Sequence, residues 1–250
     1  MRKTAHEDIE EGGFRRRGKK TRKVALPEQR QAPSMEPKYV EPKTDGQRRA
    51  YAAWASGKHL CLHGCAGTGK TLIAMYLALA DVIDTKRKRV VLVRSAVPTR
   101  DQGFLPGSLK EKAAIYELPF QSACADIYER SDAYSSLKAK KTLEFITTSY
   151  VRGITLHDSV VVIDEVQNLT FHEIASVVTR VGHNSRLIVL GDFRQSDLAR
   201  YAERKGVTDF LAVAKKMGSF EMVEFTHADI LRGDVVREFI VARDELGIID

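Results

Sequence analysis

Residues 59–83 read HLCLHGCAGTGKTLIAMYLALADVI, and within them residues 64–71, GCAGTGKT, match the phosphate-loop pattern GxxxxGKT at every fixed position. Glycine makes up about 7% of residues on average, so such a match arises by accident in roughly one chain in a hundred of this length. The flanks decide between accident and site. Residues 59–63 are short and alternating, as a strand would be, while residues 72–83 are apolar and helix-forming. Strand, glycine loop and helix form the setting the pattern needs. Gly64 and Gly69 let the backbone turn and aim the N–H groups of Cys65, Ala66, Gly67 and Thr68 at phosphates. Lys70 is expected to reach the β- and γ-phosphates of a nucleotide, and Thr71 to place its hydroxyl on Mg²⁺.

The chain has 250 residues, 43% of them hydrophobic, which is enough for one sizeable core. No run approaches the ~20 apolar residues of a membrane span, and the charged start is unlike a signal peptide, so a cytoplasmic protein is expected. Cys61, Cys65 and Cys124 form no CxxC pair and are expected as free thiols. His59, Cys61, His63 and Cys65 recur at every second position, which fits a zinc site and fits a strand running into a phosphate loop equally in spacing. The loop makes the strand the adopted reading.

The net charge of +7 resides mostly in one place. Residues 1–43 hold 12 Lys/Arg and 7 Asp/Glu, a balance of +5, which leaves 28 basic against 26 acidic residues elsewhere. That segment carries the cluster Arg15, Arg16, Arg17, Lys19, Lys20, Arg22 and Lys23, four prolines and almost no apolar periodicity, so it is expected to be a disordered basic tail. It can neutralise nucleic-acid phosphates whatever their sequence, or it can be a solvated appendage; both readings stand.

A single α/β domain is expected over residues 44–250. TDGQ, residues 44–47, predicts a capped helix running to Gly57, whose Tyr51 and Trp54 pack as core or abut a base. Residues 88–93 end in VVLV and predict a strand buried on both faces, beside the first strand. Residues 94–107 predict a loop at the carboxyl edge of the sheet, where open α/β sheets bind ligands. Residues 108–141 read as helical, with packing residues alone. Residues 143–146 predict a short strand, followed by Arg152 and Gly153 as a basic turn or an ordinary loop.

Residues 159–164, SVVVID, predict the second fully buried strand, ending in Asp164 and Glu165. An acidic pair after such a strand, following a phosphate loop, has a specific use: Asp164 holds Mg²⁺ and Glu165 takes a proton from attacking water. Thr170 and Glu173 predict a capping box for the next helix. Residues 187–190 predict a strand running into GDFRQSD, whose Gln195 senses a γ-phosphate, orients water, or serves the turn. Helix at 208–217, strand at 222–225 and helix at 235–246 complete the reading.

The ordered set TDGQ, GCAGTGKT, VRSAVPTRDQGFLPG, VRGITL, VVIDEVQN, LIVLGDFRQSDL and ADILRGDVV resembles the PhoH family of phosphate-starvation ATPases over residues 44–249. These are RecA-like phosphate-loop NTPases similar to one motor domain of superfamily-one helicases, with a parallel sheet and helices on both faces. The RSAVPTRD form resembles phage-encoded members, which implies a host cytoplasm. The resemblance implies ATP and Mg²⁺ as ligands, with Gln47 as the adenine-reading glutamine. It further implies Gln167 and Gln195 at γ-phosphate-sensing positions, and Arg232 as the late arginine, acting in its own or a neighbouring subunit. The chain departs from the family in reading DEVQN for DEAQN and ILRGD after the late segment's start. RNA or single-stranded DNA is the implied partner, and a homo-oligomer, a hexameric ring, the implied assembly. Two classes compete: an ATP-hydrolysing motor or switch, and a nucleotide-dependent nucleic-acid-binding module that does not hydrolyse. A small-molecule kinase lacks a readable acceptor site, and a GTPase lacks the NKxD base-reading motif.

Overall fold

The computed structural model describes residues 35–95, 109–192 and 201–248. The basic cluster of the tail, most of the loop at 94–107 and Gln195 lie outside the described residues.

The packed unit begins at Met35, ahead of the Thr44 at which composition alone placed it. Residues 35–43 have no regular secondary structure, yet Met35 and Val40 pack against the core. The Lys38 N–H donates to the Ile127 carbonyl at 2.8 Å, and the Tyr51 hydroxyl to the Val40 carbonyl. Tyr39 meets Tyr76 edge-on, with ring centroids 5.9 Å apart. A few apolar and aromatic residues spread along an irregular segment anchor it without producing any periodicity to read.

The elements follow in order as α1 (Asp45–Ala55), β1 (His59–Gly64), α2 (Lys70–Ile83), β2 (Arg89–Arg94), α3 (Leu109–Tyr128), α4 (Ala133–Ala139), β3 (Leu143–Thr147), β4 (Ser159–Ile163), α5 (Phe171–Val178), β5 (Arg186–Gly191), α6 (Tyr201–Lys216), β6 (Phe220–Phe225) and α7 (Asp234–Glu245). Both predicted helix caps form. The Thr44 hydroxyl accepts from the Gln47 N–H at 3.3 Å, and Thr170 and Glu173 close a reciprocal box at the start of α5.

One expectation is refined and one is corrected. Residues 108–141 are two helices, because Glu129 takes a left-handed φ of +50° and the Arg130 N–H bonds back to the Ala125 carbonyl at 3.2 Å. That is a helix stop of the kind glycine usually marks, and with no glycine present nothing in the sequence announced it. Nor does β2 lie beside β1. The sheet order is β3-β2-β4-β5-β1-β6, with every pairing parallel. An apolar run shows that β2 is flanked on both sides but not by which strands, and successive strands are neighbours only about two-thirds of the time.

Strand periodicity divides the core in two. Leu60, Leu62, Val90, Leu92, Val160, Val162, Ile188 and Leu190 face α1 to α4, while Cys61, Val91, Val93, Val161, Ile163, Leu187 and Val189 face α5 and α6. This is the expected RecA-like α/β layering, with helices on both faces of one parallel sheet. The pairings Cys61–Val189 and Ile163–Val189 bring the exits of β1, β5 and β4 to one edge. The phosphate loop, Asp164 and Asp192 emerge there.

Candidate nucleotide-binding site

Three glycines shape the loop after β1. Gly64, Gly67 and Gly69 have φ of +115°, +74° and +81°, a region that side chains rarely adopt. A Cβ on Gly64 would fall 2.0 Å from the Phe225 carbonyl oxygen, so the loop closes against β6 only because that atom is absent. A Cβ on Gly67 would fall 2.8 Å from Cγ of Arg232. Gly69 is the N-cap of α2, so the N–H groups of the first turn point into the loop.

Lys70 begins α2 and folds back into this loop, its Nζ donating to the carbonyls of Gly64 at 2.7 Å and Cys65 at 2.6 Å. Burial pushes its pKa down, while Asp192, Glu165 and Asp164 hold it up. Three carboxylates therefore surround one ammonium at the carboxyl edge of the sheet.

An open cleft of about 390 Å³ collects the loop and its neighbours. Ala66, Gly67, Thr68, Gly69, Lys70 and Thr71 form one wall, Asp164, Glu165, Gln167 and Asp192 the floor, and Arg232 the rim. Among the described site residues expected from sequence, Gly64, Cys65 and Gln47 alone do not line it. Gly64 and Cys65 form the buried root of the loop. Gln47 is buried, its amide donating to the Thr68 carbonyl at 3.0 Å and accepting from the Lys43 N–H at 2.8 Å. Its side chain supports the loop from behind. Gln195 falls outside the described residues.

Asp164 is only 5% exposed, and burial, reinforced by Glu165, pushes its carboxyl up to about 6. Arg94 and Lys70 offset part of that cost. Glu165 has a left-handed φ of +53°, uncommon for a residue with a long side chain and typical of strained functional positions. Its carboxylate accepts from the Gln167 amide and lies 3.4 Å from the Arg94 guanidinium. The same Gln167 amide accepts from the Asp192 N–H at 3.2 Å, so one side chain links the ends of β4 and β5.

Arg232 reaches this cleft from its own chain. The Leu231 N–H donates to the Gly67 carbonyl at 3.1 Å and sets the arginine stem over the loop. Asp229 is occupied elsewhere, accepting from the Gly46 N–H at 2.9 Å and the Thr226 N–H at 2.8 Å. Burial raises the Asp229 pKa, but hydrogen bonds from Thr44, Thr226 and Gly46 more than reverse it, leaving the carboxyl below its usual value.

The donor set suits a magnesium–nucleotide complex. A cradle that a single Cβ would fill at Gly64 or Gly67, N–H donors at a helix start and a lysine match polyphosphate, while the Thr71 hydroxyl and a buried carboxylate match a hard divalent cation.

The family model for PhoH-like protein matches residues 39–244. The chain belongs to the PhoH family. A PhoH-like protein of Bacillus subtilis (strain 168) is 36% identical over 213 residues, covering 83% of this chain and 65% of that protein. One of Mycobacterium tuberculosis (strain ATCC 25618 / H37Rv) is 33% identical over 206 residues, covering 82% of this chain and 58% of that protein. The chain thus spans less than two thirds of the length of these relatives. Among solved structures, the large terminase from a thermophilic bacteriophage aligns with a TM-score of 0.49 and 13% identity over 80% of this chain and 50% of that one.

In this PhoH-family chain two site features, and the reason for a third, escaped the sequence reading. Pro119, Ser122, Ala123 and Asp126 form the wall of the cleft opposite the loop, at helical spacing on one face of α3. The helical spacing was present, but mixed small and polar residues give it no apolar signature. Asp192 was passed over for Gln195 in the same GDFRQSD segment; its place directly after a buried strand, like that of Asp164, was the available signal. Gly67, variable in the loop pattern, is required here by Arg232.

Proposed function

We propose that this cleft binds Mg²⁺-ATP and hydrolyses it, and that the chain works as a nucleic-acid-associated motor or switch. The observation that carries the reading is the convergence of Lys70 and Thr71 from β1–α2 with Asp164 and Glu165 from β4 in one cleft, although β1 and β4 are not neighbours in the sheet. The loop N–H groups and Lys70 bind the phosphates, and Thr71 and Asp164 hold the metal. Mg²⁺, when bound, neutralises charge on phosphate oxygens. Glu165 accepts the proton of the attacking water, with its carboxylate aimed by Gln167 and Arg94. Gln167, bonded to the ends of both β4 and β5, transmits γ-phosphate occupancy between them, and Gln195 has the γ-phosphate-sensing role that the family resemblance implies. Arg232 supplies positive charge to the transferring phosphoryl group from the same chain, as its packing on Gly67 supports.

Gln47 acts on the nucleotide through the loop it holds. RNA or single-stranded DNA is the partner, on the strength of the family resemblance and the basic tail. A homo-oligomer is supported by an exposed apolar row beside Arg232, namely Leu231, Val235, Val236 and Phe239, with Val235 79% and Phe239 66% exposed, while the hexameric ring rests on the family resemblance. No helix among the described residues is long and apolar enough to cross a membrane.

The deciding experiment measures ATP hydrolysis with and without RNA and single-stranded DNA, together with particle mass in ATP. Turnover stimulated by one nucleic acid is the expected result. Nucleotide-dependent nucleic-acid binding without turnover would instead establish the non-hydrolysing module.

A further inference from the structure

The four alternating residues His59, Cys61, His63 and Cys65 do not come together, since successive members on one face of a strand lie roughly 7 Å apart. Cys65 instead meets two residues from far along the chain. Its Sγ, a ring nitrogen of His227 and a carboxylate oxygen of Asp244 all lie within 4.8 Å of one another. They come from three elements: the root of the phosphate loop, the short turn after β6, and the last turn of α7. His227 Nε2 is 2.7 Å from Asp244 Oδ2, while the Arg243 guanidinium holds the other oxygen, Oδ1, at 3.0 Å.

We infer that Cys65, His227 and Asp244 form a binding site for a borderline-soft divalent cation of the zinc class, separate from the magnesium position at Thr71 and Asp164. One thiolate, one imidazole and one carboxylate are a mixed S/N/O set that such ions take in preference to Mg²⁺ or Ca²⁺. Bonds of about 2.0–2.3 Å to a tetrahedral ion set the ligand atoms roughly 3.3–3.8 Å apart, so on loading the His227–Asp244 pair opens from its 2.7 Å contact to admit the ion, within a cluster whose ligand atoms already lie no more than 4.8 Å apart. The side chains able to make that move are the outer two: His227 and Asp244 are 36% and 20% exposed, against 1% for Cys65. They also provide the entry path, and the fourth position is left to water. Ile230 and Ile240 pack around Cys65 and supply a dry inner wall. The ion ties α7 to the phosphate loop, because the Cys65 carbonyl is the one that holds Lys70 and Thr68.

Cobalt(II) is the test probe, added to the 250-residue chain in the presence of excess Mg²⁺. A thiolate-to-cobalt charge-transfer band is the expected signature; cobalt at the magnesium position, with oxygen ligands alone, gives none, so the result does not depend on the ATPase reading. Cys65→Ser should abolish the band. His227→Ala and Asp244→Asn should each weaken cobalt and zinc affinity roughly tenfold or more, since even the residues that hydrogen-bond to metal ligands are worth that much. His227 and Asp244 are partly exposed, so their variants carry the test even if Cys65→Ser fails to fold. Absence of a thiolate band in wild type, or a band of undiminished affinity in both His227→Ala and Asp244→Asn, would overturn the proposal.

Discussion

Asp164→Asn separates stability from function at the centre of the cleft. In the folded chain this carboxyl is pushed up to about 6 from an ordinary value near 3.8, by burial and by Glu165 beside it. A folded-state pKa above the unfolded one means that the native state binds the proton more tightly. Stability from this group is therefore greatest below pH ~4, falls as pH rises through the window from ~4 to ~6, and stays low above it. At ~1.4 kcal/mol per pKa unit, a shift of about two units costs the ionised native protein roughly 3 kcal/mol at pH 8. Asparagine keeps the shape and carries no charge, so the variant should be more stable at pH 8 by up to that amount, about 6–12 °C in melting temperature for a domain of this size. Near pH 4 the two proteins should converge. Thermal or urea unfolding of both proteins at pH 4.5, 6 and 8, without nucleotide, measures the difference. Adding Mg²⁺-ATP should then stabilise wild type and scarcely affect the variant, which lacks the metal ligand. A variant less stable than wild type at pH 8, or a difference independent of pH, would refute the assignment of Asp164 as a buried carboxylate held ionised for a cation.

Glu165→Gln should retain ATP affinity and lose turnover by ~10² or more, measured as hydrolysis rate beside nucleotide binding; a wild-type rate removes Glu165 as the base. Arg232→Ala should cut turnover by ~10³ at nearly unchanged ATP affinity, and mixing it with Lys70→Ala should restore nothing, because loop and arginine come from one chain. Recovered activity in that mixture would place the arginine in a neighbouring subunit. Gly67→Ala, with φ at +74° and a Cβ 2.8 Å from Arg232, should lose about 1–3 kcal/mol in urea unfolding, and an unchanged midpoint would show that the arginine stem yields freely. Deleting residues 1–34, and not 1–43, should preserve folding while lowering the slope of log affinity for single strands against log salt by roughly 0.7 for each phosphate the tail neutralises; an equal slope would make the tail a solvated appendage.

The parts of this site that were legible from sequence are those in which one residue type is forced by its own backbone or its own burial. VVLV and SVVVI read as strands because both faces are covered, and GCAGTGKT reads as a loop because its turns need glycine. Relations between elements were not legible. An apolar strand presents the same residues whichever strands flank it, so the separation of β1 from β2 by β4 and β5 left no trace. The α3 wall was hidden for a related reason: Phe120, Cys124 and Ile127 mark its core face, while the cleft face, Ser122 and Asp126, looks like any solvated surface. Gln47 was recognised by motif, but its burial depends on Thr68, a residue that it meets only in the fold.

The two ends of the domain form one support for the phosphate loop. Gln47 holds the Thr68 carbonyl, Leu231 the Gly67 carbonyl, and the Phe225 carbonyl holds the Cys65 N–H at 3.0 Å, so residues before β1 and after β5 fix successive peptides of the same turn. Asp229 then joins the supports to each other through Gly46. A loop with three glycines at positive φ loses more chain entropy on ordering than an ordinary turn, and each of these bonds offsets part of that loss in advance of any ligand. The turn at 226–232 is bonded to the phosphate loop through Leu231 and to the start of α1 through Asp229, and it carries Arg232. TDGQ and ADILRGD, 183 residues apart at the Gly46–Asp229 bond, thus meet behind the same loop, each holding one of its carbonyls.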